Sequence, residues 1–462
     1  MNINETFRYL NIGLPEDILR HKMKGDFPKA ITLIDQRLHK GNLPEELKKC
    51  LIVQREMIQR LPLDYPYTRE EAIQIAQEQI PDFTEEEFDK RVEEGKIGWI
   101  YVDGQMHFFN RFFETLCKVE AGFAKRAGIT VAGVESAGKD SEETNRLNKC
   151  MNTMKTKGYM KNRIRIRAKV KVKDEEFQNG MFVRVHLPLP AACEQQSEIQ
   201  IEKVFPETGK ISPESAPQRT ICWEEYMEEN HEFLVEYSYV HKATYHDLSE
   251  KKCSADQPEF YLQEEAPHII FTPYLKALTE SVTDGAKDSL EKAQRIYDFI
   301  TKNMKYTFMP AYFVLENIAE MCARNFTGDC GVFTLLFITM CRCAGVPAKW
   351  QSGFAAEPDF CGGHDWAQFY VAPYGWLYAD TSYGISAVRA ENEERRQFYF
   401  GNLDAYRMVA NSEFQAPFTI EKMHWRADPY DNQVGEIETD QKGLSFEEYE
   451  RSKEILLCEE IE

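Results

Sequence analysis

Three short stretches between Thr327 and Tyr383 hold residue types that can do thiol chemistry. In the first, Thr327-Gly328-Asp329-Cys330-Gly331 runs directly into the apolar Val332-Phe333-Thr334-Leu335-Leu336-Phe337-Ile338-Thr339-Met340, which reads as a buried helix with Cys330 at its start. In the second, Gly362-Gly363-His364-Asp365-Trp366 precedes Ala367-Gln368-Phe369-Tyr370-Val371, whose aromatic and β-branched content reads as a strand. The third, Gly375-Trp376-Leu377-Tyr378-Ala379-Asp380-Thr381, reads as the partner strand beyond the turn Ala372-Pro373-Tyr374-Gly375.

A thiol at its ordinary pKa is only slightly ionised at neutral pH, and the thiolate is the nucleophile. The free N–H groups of a helix start and a nearby imidazolium both favour that anion. A carboxylate that accepts a hydrogen bond from the far imidazole nitrogen fixes the tautomer and orientation of the histidine. A hairpin carrying His364 and Asp380 brings these side chains to one end of a sheet, and a helix packed on that sheet can present Cys330 to them. The oxyanion that forms on attack needs a donor, and the backbone N–H of Cys330, already oriented by the helix start, suits it. Tyr306, in the lead-in Lys305-Tyr306-Thr307-Phe308, is a second candidate for the pocket or the oxyanion donor, as are Trp366 and Trp376.

Gly328-Asp329-Cys330 opening an apolar helix, Gly345-Val346-Pro347-Ala348 after it, His364-Asp365-Trp366 on a strand and Trp376-Leu377-Tyr378-Ala379-Asp380 on the next resemble the transglutaminase-like superfamily. The resemblance extends more weakly over Pro267 to Asp428, and Phe400-Gly401-Asn402-Leu403-Asp404 with Arg407 looks like a segment of its bacterial members. It implies an α+β, papain-like core. It also implies roles for the matching positions: Cys330 as nucleophile, His364 as base and Asp380 as orienting acid. The superfamily holds cross-linking acyltransferases, peptidases, amidases and catalytically dead scaffolds, so membership leaves the substrate open.

A metal site built from Cys341, Cys343, Cys361 and His364 is the sharpest chemical rival. Residues two apart on a helix point in different directions, so Cys341 and Cys343 cannot easily share one tetrahedral ion. The expectation is therefore no metal and no organic cofactor. The twelve cysteines are scattered and lack the density of a secreted disulfide scaffold. Met1-Asn2-Ile3-Asn4-Glu5-Thr6 lacks the features of a signal peptide, and no apolar run approaches ~20 residues. A cytoplasmic protein is expected.

With 56 basic against 76 acidic residues the net charge is −20, which disfavours nucleic acid and anionic membranes as partners and makes a cationic or neutral substrate the simpler expectation. At 462 residues the chain has room for about three domains of ~150 residues. Residues 1–158 read as mainly helical: Asp17 to Lys24, Phe27 to His39, Pro44 to Gln59, Arg69 to Gln79 and Thr84 to Glu94 are amphipathic, with capping-box starts at Thr68 and Thr84. Pro62-Leu63-Asp64-Tyr65-Pro66 is expected to break the third helix. A hairpin over 99–109 turns at Asp103-Gly104. A polar linker begins at Gly128. This region is expected to be structural or to bind a protein partner.

Residues 159–263 change period. Arg163-Ile164-Arg165-Ile166-Arg167-Ala168-Lys169-Val170-Lys171-Val172 alternates strictly, the mark of a strand with one wet face, and further strand-like runs follow, which suggests an antiparallel β-sandwich. Residues 264–462 would hold the catalytic core, with a closing strand over Trp425 to Gly435 and a short acidic helix or tail from Glu447 to Glu462. The fold class is α+β: helical region, sandwich, then transglutaminase-like core. The expected activity is thiol-dependent hydrolysis or acyl transfer at an amide bond of a protein or peptide through a Cys330 thioester, hydrolysis being favoured because no calcium loop or separate amine site can be read. The alternative is a catalytically silent scaffold of the same fold.

Overall fold

A computed structural model describes residues 3–129, 142–250 and 252–462. The linker residues Ser136, Gly138, Lys139 and Asp140, and the chain start at Met1-Asn2, lie outside the described residues. The N-terminal helices fall at Glu16–Met23, Phe27–His39, Glu45–Asp64, Arg69–Gln79 and Glu85–Glu93, and both capping boxes form. Pro62 does not end the third helix, which continues to Asp64. Proline removes one N–H and one intrahelical bond, and a final turn tolerates that loss. The hairpin Trp99–Val102/Gln105–Phe108 turns through positive φ at Asp103 and Gly104, as a two-residue turn of this type requires.

The sandwich has two antiparallel sheets. One holds β1 (Tyr159–Val172), and the other holds β2 (Met181–Pro188). β3 (Gln196–Phe205) and β5 (Phe233–Thr244) join β1, while β4 (Thr220–Met227) joins β2. The alternation read in β1 is literal: Ile164, Ile166, Ala168, Val170 and Val172 are buried, and the intervening cations are not.

The region from 264 follows with α1 (Ser289–Asn303), α2 (Cys330–Cys343), β6 (Ala348–Glu357), β7 (Phe360–Val371), β8 (Gly375–Ala379), α3 (Thr381–Arg389), α4 (Glu393–Phe398) and β9 (Arg407–Asn411). The strands form an antiparallel sheet in the order β8-β7-β6-β9, with Phe400–Gly401 pairing outside β8. α2 packs on the sheet, with Phe337 against Phe369 at 5.8 Å between ring centroids. Nearly every residue of α2 after Cys330 is buried, as its continuous apolar run demands.

The C-terminal expectations need correction. Trp425 to Gly435 forms no strand, and Glu447 to Glu462 is neither helix nor tail. Instead β10 (Glu436–Thr439) pairs with β2, and β11 (Tyr449–Ile461) pairs with β1 over almost its whole length. Charge complementarity accompanies the second pairing. The acidic segment lies beside the basic face of β1, with Arg167 and Glu454 3.1 Å apart, and Glu460 reaches Lys149 at 3.3 Å. The 159–263 and 264–462 regions therefore share sheets, and Phe354, Ala356, Met408 and Ala410 continue the sandwich core into the β8-β7-β6-β9 sheet.

Candidate active site

Asp329 caps α2: its side chain accepts from the Val332 N–H at 3.2 Å, and the Tyr312 hydroxyl donates to the same carboxylate oxygen. The cap fixes where the helix starts and so places Cys330 in its first turn. Gly331 is needed for close approach, because a Cβ there would run into the Tyr312 hydroxyl and the Asp365 carboxylate.

His364 lies on β7 and is 5% exposed. Its Nε2 is 2.7 Å from Asp380 Oδ2, and Asp380 is wholly buried. Asp380 stands just past β8 and caps α3, accepting from the Tyr383 N–H at 2.9 Å. β7 and β8 pair with Ala367 opposite Ala379, and that register brings His364 and Asp380 to the same end of the sheet. His364 and Asp380 are thus hydrogen-bonded as expected. Cys330 and His364 line one cavity of about 380 Å³. With Nε2 held by Asp380, Nδ1 is the imidazole nitrogen left to accept a proton.

Three features were not anticipated. The first is Arg407. It is wholly buried, with its guanidinium 2.9 Å from Asp380 Oδ2 and paired with Asp404 as well. Burial alone would raise the Asp380 carboxyl, but His364 and Arg407 outweigh it and hold the group below the usual carboxylate range. The sequence contained Asp404 and Arg407 as part of the resemblance but gave them no role.

The second is Asp365. The Cys330 thiol donates to Asp365 Oδ2 at 3.2 Å. Burial, then the neighbouring Asp365 and Asp329 carboxylates, push the thiol well above its ordinary value. The helix start and the imidazolium, expected to favour a thiolate, are thus opposed by burial, by a carboxylate in the cap and by another on β7. Burial and the Asp431 carboxyl hold Asp365 well above the ordinary range in turn. Strand parity was the signal: Asp365 shares the parity of Ala367 and Phe369, the residues that meet α2.

The third is a second cavity of about 300 Å³ on the other side of Cys330, lined by Asp329, Asp365, Asp428 and Asp431 together with Gln433. Gln433 Nε2 donates to the Asp365 carboxylate and, at 3.3 Å, to the His364 carbonyl.

Tyr306 lines both cavities and pairs with Gly328 in a two-residue ladder immediately before Cys330. Trp366 and Trp376 do not line the site. Trp366 is fully buried, its indole donating to Gln351 at 2.7 Å. Trp376 is at the start of β8, a strand's length from Asp380, and packs on Phe260, Tyr261 and Tyr370. Cys341 is in the helical core while Cys361 packs at the edge of the sandwich core, so they do not converge on His364.

A family model, that of the transglutaminase-like superfamily, matches residues 276–381, a span holding Cys330, His364 and Asp380. No curated protein matches the chain. Among solved structures, a proposed cysteine protease from Cytophaga hutchinsonii is similar at 14% identity and TM-score 0.44, covering 66% of this chain and 91% of that one. The periplasmic domain of TgpA from Pseudomonas aeruginosa is similar at 11% identity and TM-score 0.28, covering 54% of this chain and 96% of its own. Among the described residues no helix is long and apolar enough to cross a membrane. Residues 276–381 form a transglutaminase-like domain within a longer α+β chain.

Proposed function

We propose that this protein cleaves or transfers acyl groups at amide bonds of a peptide or protein, through a thioester on Cys330. One observation carries the reading: Cys330 and His364 line a single cavity, and His364 is held by a buried carboxylate at 2.7 Å. Because burial and carboxylates raise the thiol, its proton leaves as the Sγ–C bond forms, with His364 Nδ1 as general base. His364 then protonates the departing amine nitrogen as the amide C–N bond breaks. Water, or an amine, attacks the thioester and releases Cys330. The backbone N–H of Cys330 and the hydroxyl of Tyr306, which lines the same cavity, are the candidate donors to the oxyanion. Hydrolysis is favoured over cross-linking, and the cytoplasmic setting, which keeps the thiol reduced, belongs to the same reading.

The silent-scaffold alternative rests on the donation of the Cys330 thiol to Asp365. A burst assay separates the two. With p-nitrophenyl acetate, the enzyme reading expects one equivalent of nitrophenolate released rapidly and an acetyl group found by mass spectrometry on Cys330. Cys330→Ala should abolish the burst and His364→Ala should slow it. A wild-type protein with no burst and no acetylated Cys330 would sink the reading.

A further inference from the structure

The cavity that holds Cys330 and His364 has a cationic wall, although the chain as a whole carries a net charge of −20. Ser382, Ile385, Ser386 and Arg389 fall at the spacing of one face of α3, and that face lines the cavity. Arg395 of α4 and Arg146 complete this side. Their guanidinium groups are in different states. Arg146 is ion-paired with Glu357 and Asp359. Arg389 donates to the Lys118 carbonyl at 2.6 Å and has no carboxylate partner among the described residues, and burial holds its pKa below the ordinary arginine value.

Arg395 is the anomaly. It is 5% exposed, and its side chain makes no hydrogen bond or ion pair among the described residues. Its neighbour Arg396, equally buried, shows what this region does for an arginine that serves structure: it is held by Glu393, by Asp298 at 2.7 Å and by the Thr301 hydroxyl at 3.2 Å. Arg395 lines the cavity, so the donors of its guanidinium are open to whatever occupies that space. A guanidinium presents a planar fork of donors that matches a carboxylate in two parallel hydrogen bonds.

We propose that Arg395, with Arg389 beside it in the same cavity wall, forms a carboxylate-binding subsite, so that the substrate presents a free carboxylate close to the amide attacked by Cys330. The inference rests on reading this cavity as the acyl-transfer site. Ser382 and Ser386 supply hydroxyl donors on the same wall. The carboxylate can be the C-terminus of a short peptide or an acidic side chain, and the chemistry recognised is the same. The composition pointed toward a cationic or neutral substrate, and the local field of the cavity points the other way.

The first test compares alkylation of Cys330 by iodoacetate and by iodoacetamide, which differ in a carboxylate against an amide, with the modified residue mapped by mass spectrometry. In Arg395→Gln the iodoacetate rate should fall about tenfold relative to wild type, as for a lost charge-assisted pair, while the iodoacetamide rate stays within about twofold. Arg395→Lys should restore part of the difference. Equal changes with both reagents overturn the subsite and leave the nucleophile standing. If Cys330 reacts with neither reagent, the acyl-transfer reading falls, and a second measurement judges the subsite alone. Folded Cys330→Ala protein is titrated calorimetrically with N-acetyl-Ala-Ala, with its C-terminal amide and with N-acetyl-Glu amide. Tighter binding of an acid than of the dipeptide amide, lost when Arg395→Gln is added, supports the subsite, and whichever acid binds identifies the source of the carboxylate. No acid preference in this titration overturns it.

Discussion

Arg407 shows at the level of one residue how the His364–Asp380 pair is held. Asp380 has its carboxylate filled on every side, by the Tyr383 N–H, His364 Nε2 and Arg407. Removing Arg407 leaves Asp380 and Asp404 buried without their shared counter-charge, so Arg407→Met should destabilise the fold by about 3–5 kcal/mol. It should also slow acyl transfer on the order of 10²-fold by letting His364 lose its orientation. Asp380 has a depressed folded-state pKa, so its contribution is present above the ordinary carboxylate value and is lost as pH falls through the folded value. Without Arg407 the burial effect dominates, and the acid limb of a denaturation profile should move to higher pH. An unchanged acid limb would show that His364 alone keeps Asp380 ionised.

At the scale of elements, α2 was the most legible part of the chain, and its electrostatics were the least. The Gly-Asp-Cys-Gly start, the apolar run and the hairpin behind it were readable because each is local. Of the two carboxylates that act on Cys330, Asp329 is its sequence neighbour, but Asp365, itself held by Gln433, is hidden by sequence distance. β11 was misread for a related reason. Its acidic residues look solvated until the basic face of β1, nearly 300 positions earlier, is placed beside them. Pro62 shows the opposite error, a local breaker given too much weight near a helix end. The cap of α2 gives a test. Burial raises Asp329 to about 6, so it is ionised at pH 7.5 and holds the neighbouring Cys330 thiol up. Asp329→Asn keeps the oxygen that accepts from Val332 and removes the charge. It should cost only a few tenths of a kcal/mol in stability, whereas Asp329→Ala should cost ~1 kcal/mol. Cys330 should ionise at lower pH in the Asn variant, so its alkylation at pH 7.5 should speed up several-fold. A rate profile that does not move would mean the cap charge is not what restrains the thiol.

Across the whole molecule, the buried titratable groups set opposing slopes on stability with pH. Burial raises Asp64 to about 7 and Asp428 to about 8, where Asp431 also contributes. Each keeps its proton in the folded state at pH values where the unfolded chain has lost it, so stability falls as pH rises through that window. Buried histidines act the other way. Burial lowers His241 to about 4 and His268 to about 3, so the unfolded chain binds the extra protons and stability rises with pH until unfolded histidine has titrated, near 6.5. Below that point the two sets oppose each other. Above about 6.5 the histidine contribution fades as the unfolded imidazoles finish titrating, and the acids dominate until Lys453, lowered by burial to about 8, begins to oppose them. Each acid still protonated only in the folded state costs about 1.4 kcal/mol per pH unit there. Thermal melts should therefore show little slope below pH 6.5 and a steady loss of stability from there to pH 8. Asp428→Asn keeps the acceptor for the Tyr430 N–H, at 2.8 Å in the native protein, and deletes the titration. It should be more stable than wild type at pH 8, and its melting temperature should fall less steeply above pH 6.5. The same slope in both proteins would remove Asp428, and with it the acidic cavity beside Cys330, as the origin of the alkaline loss.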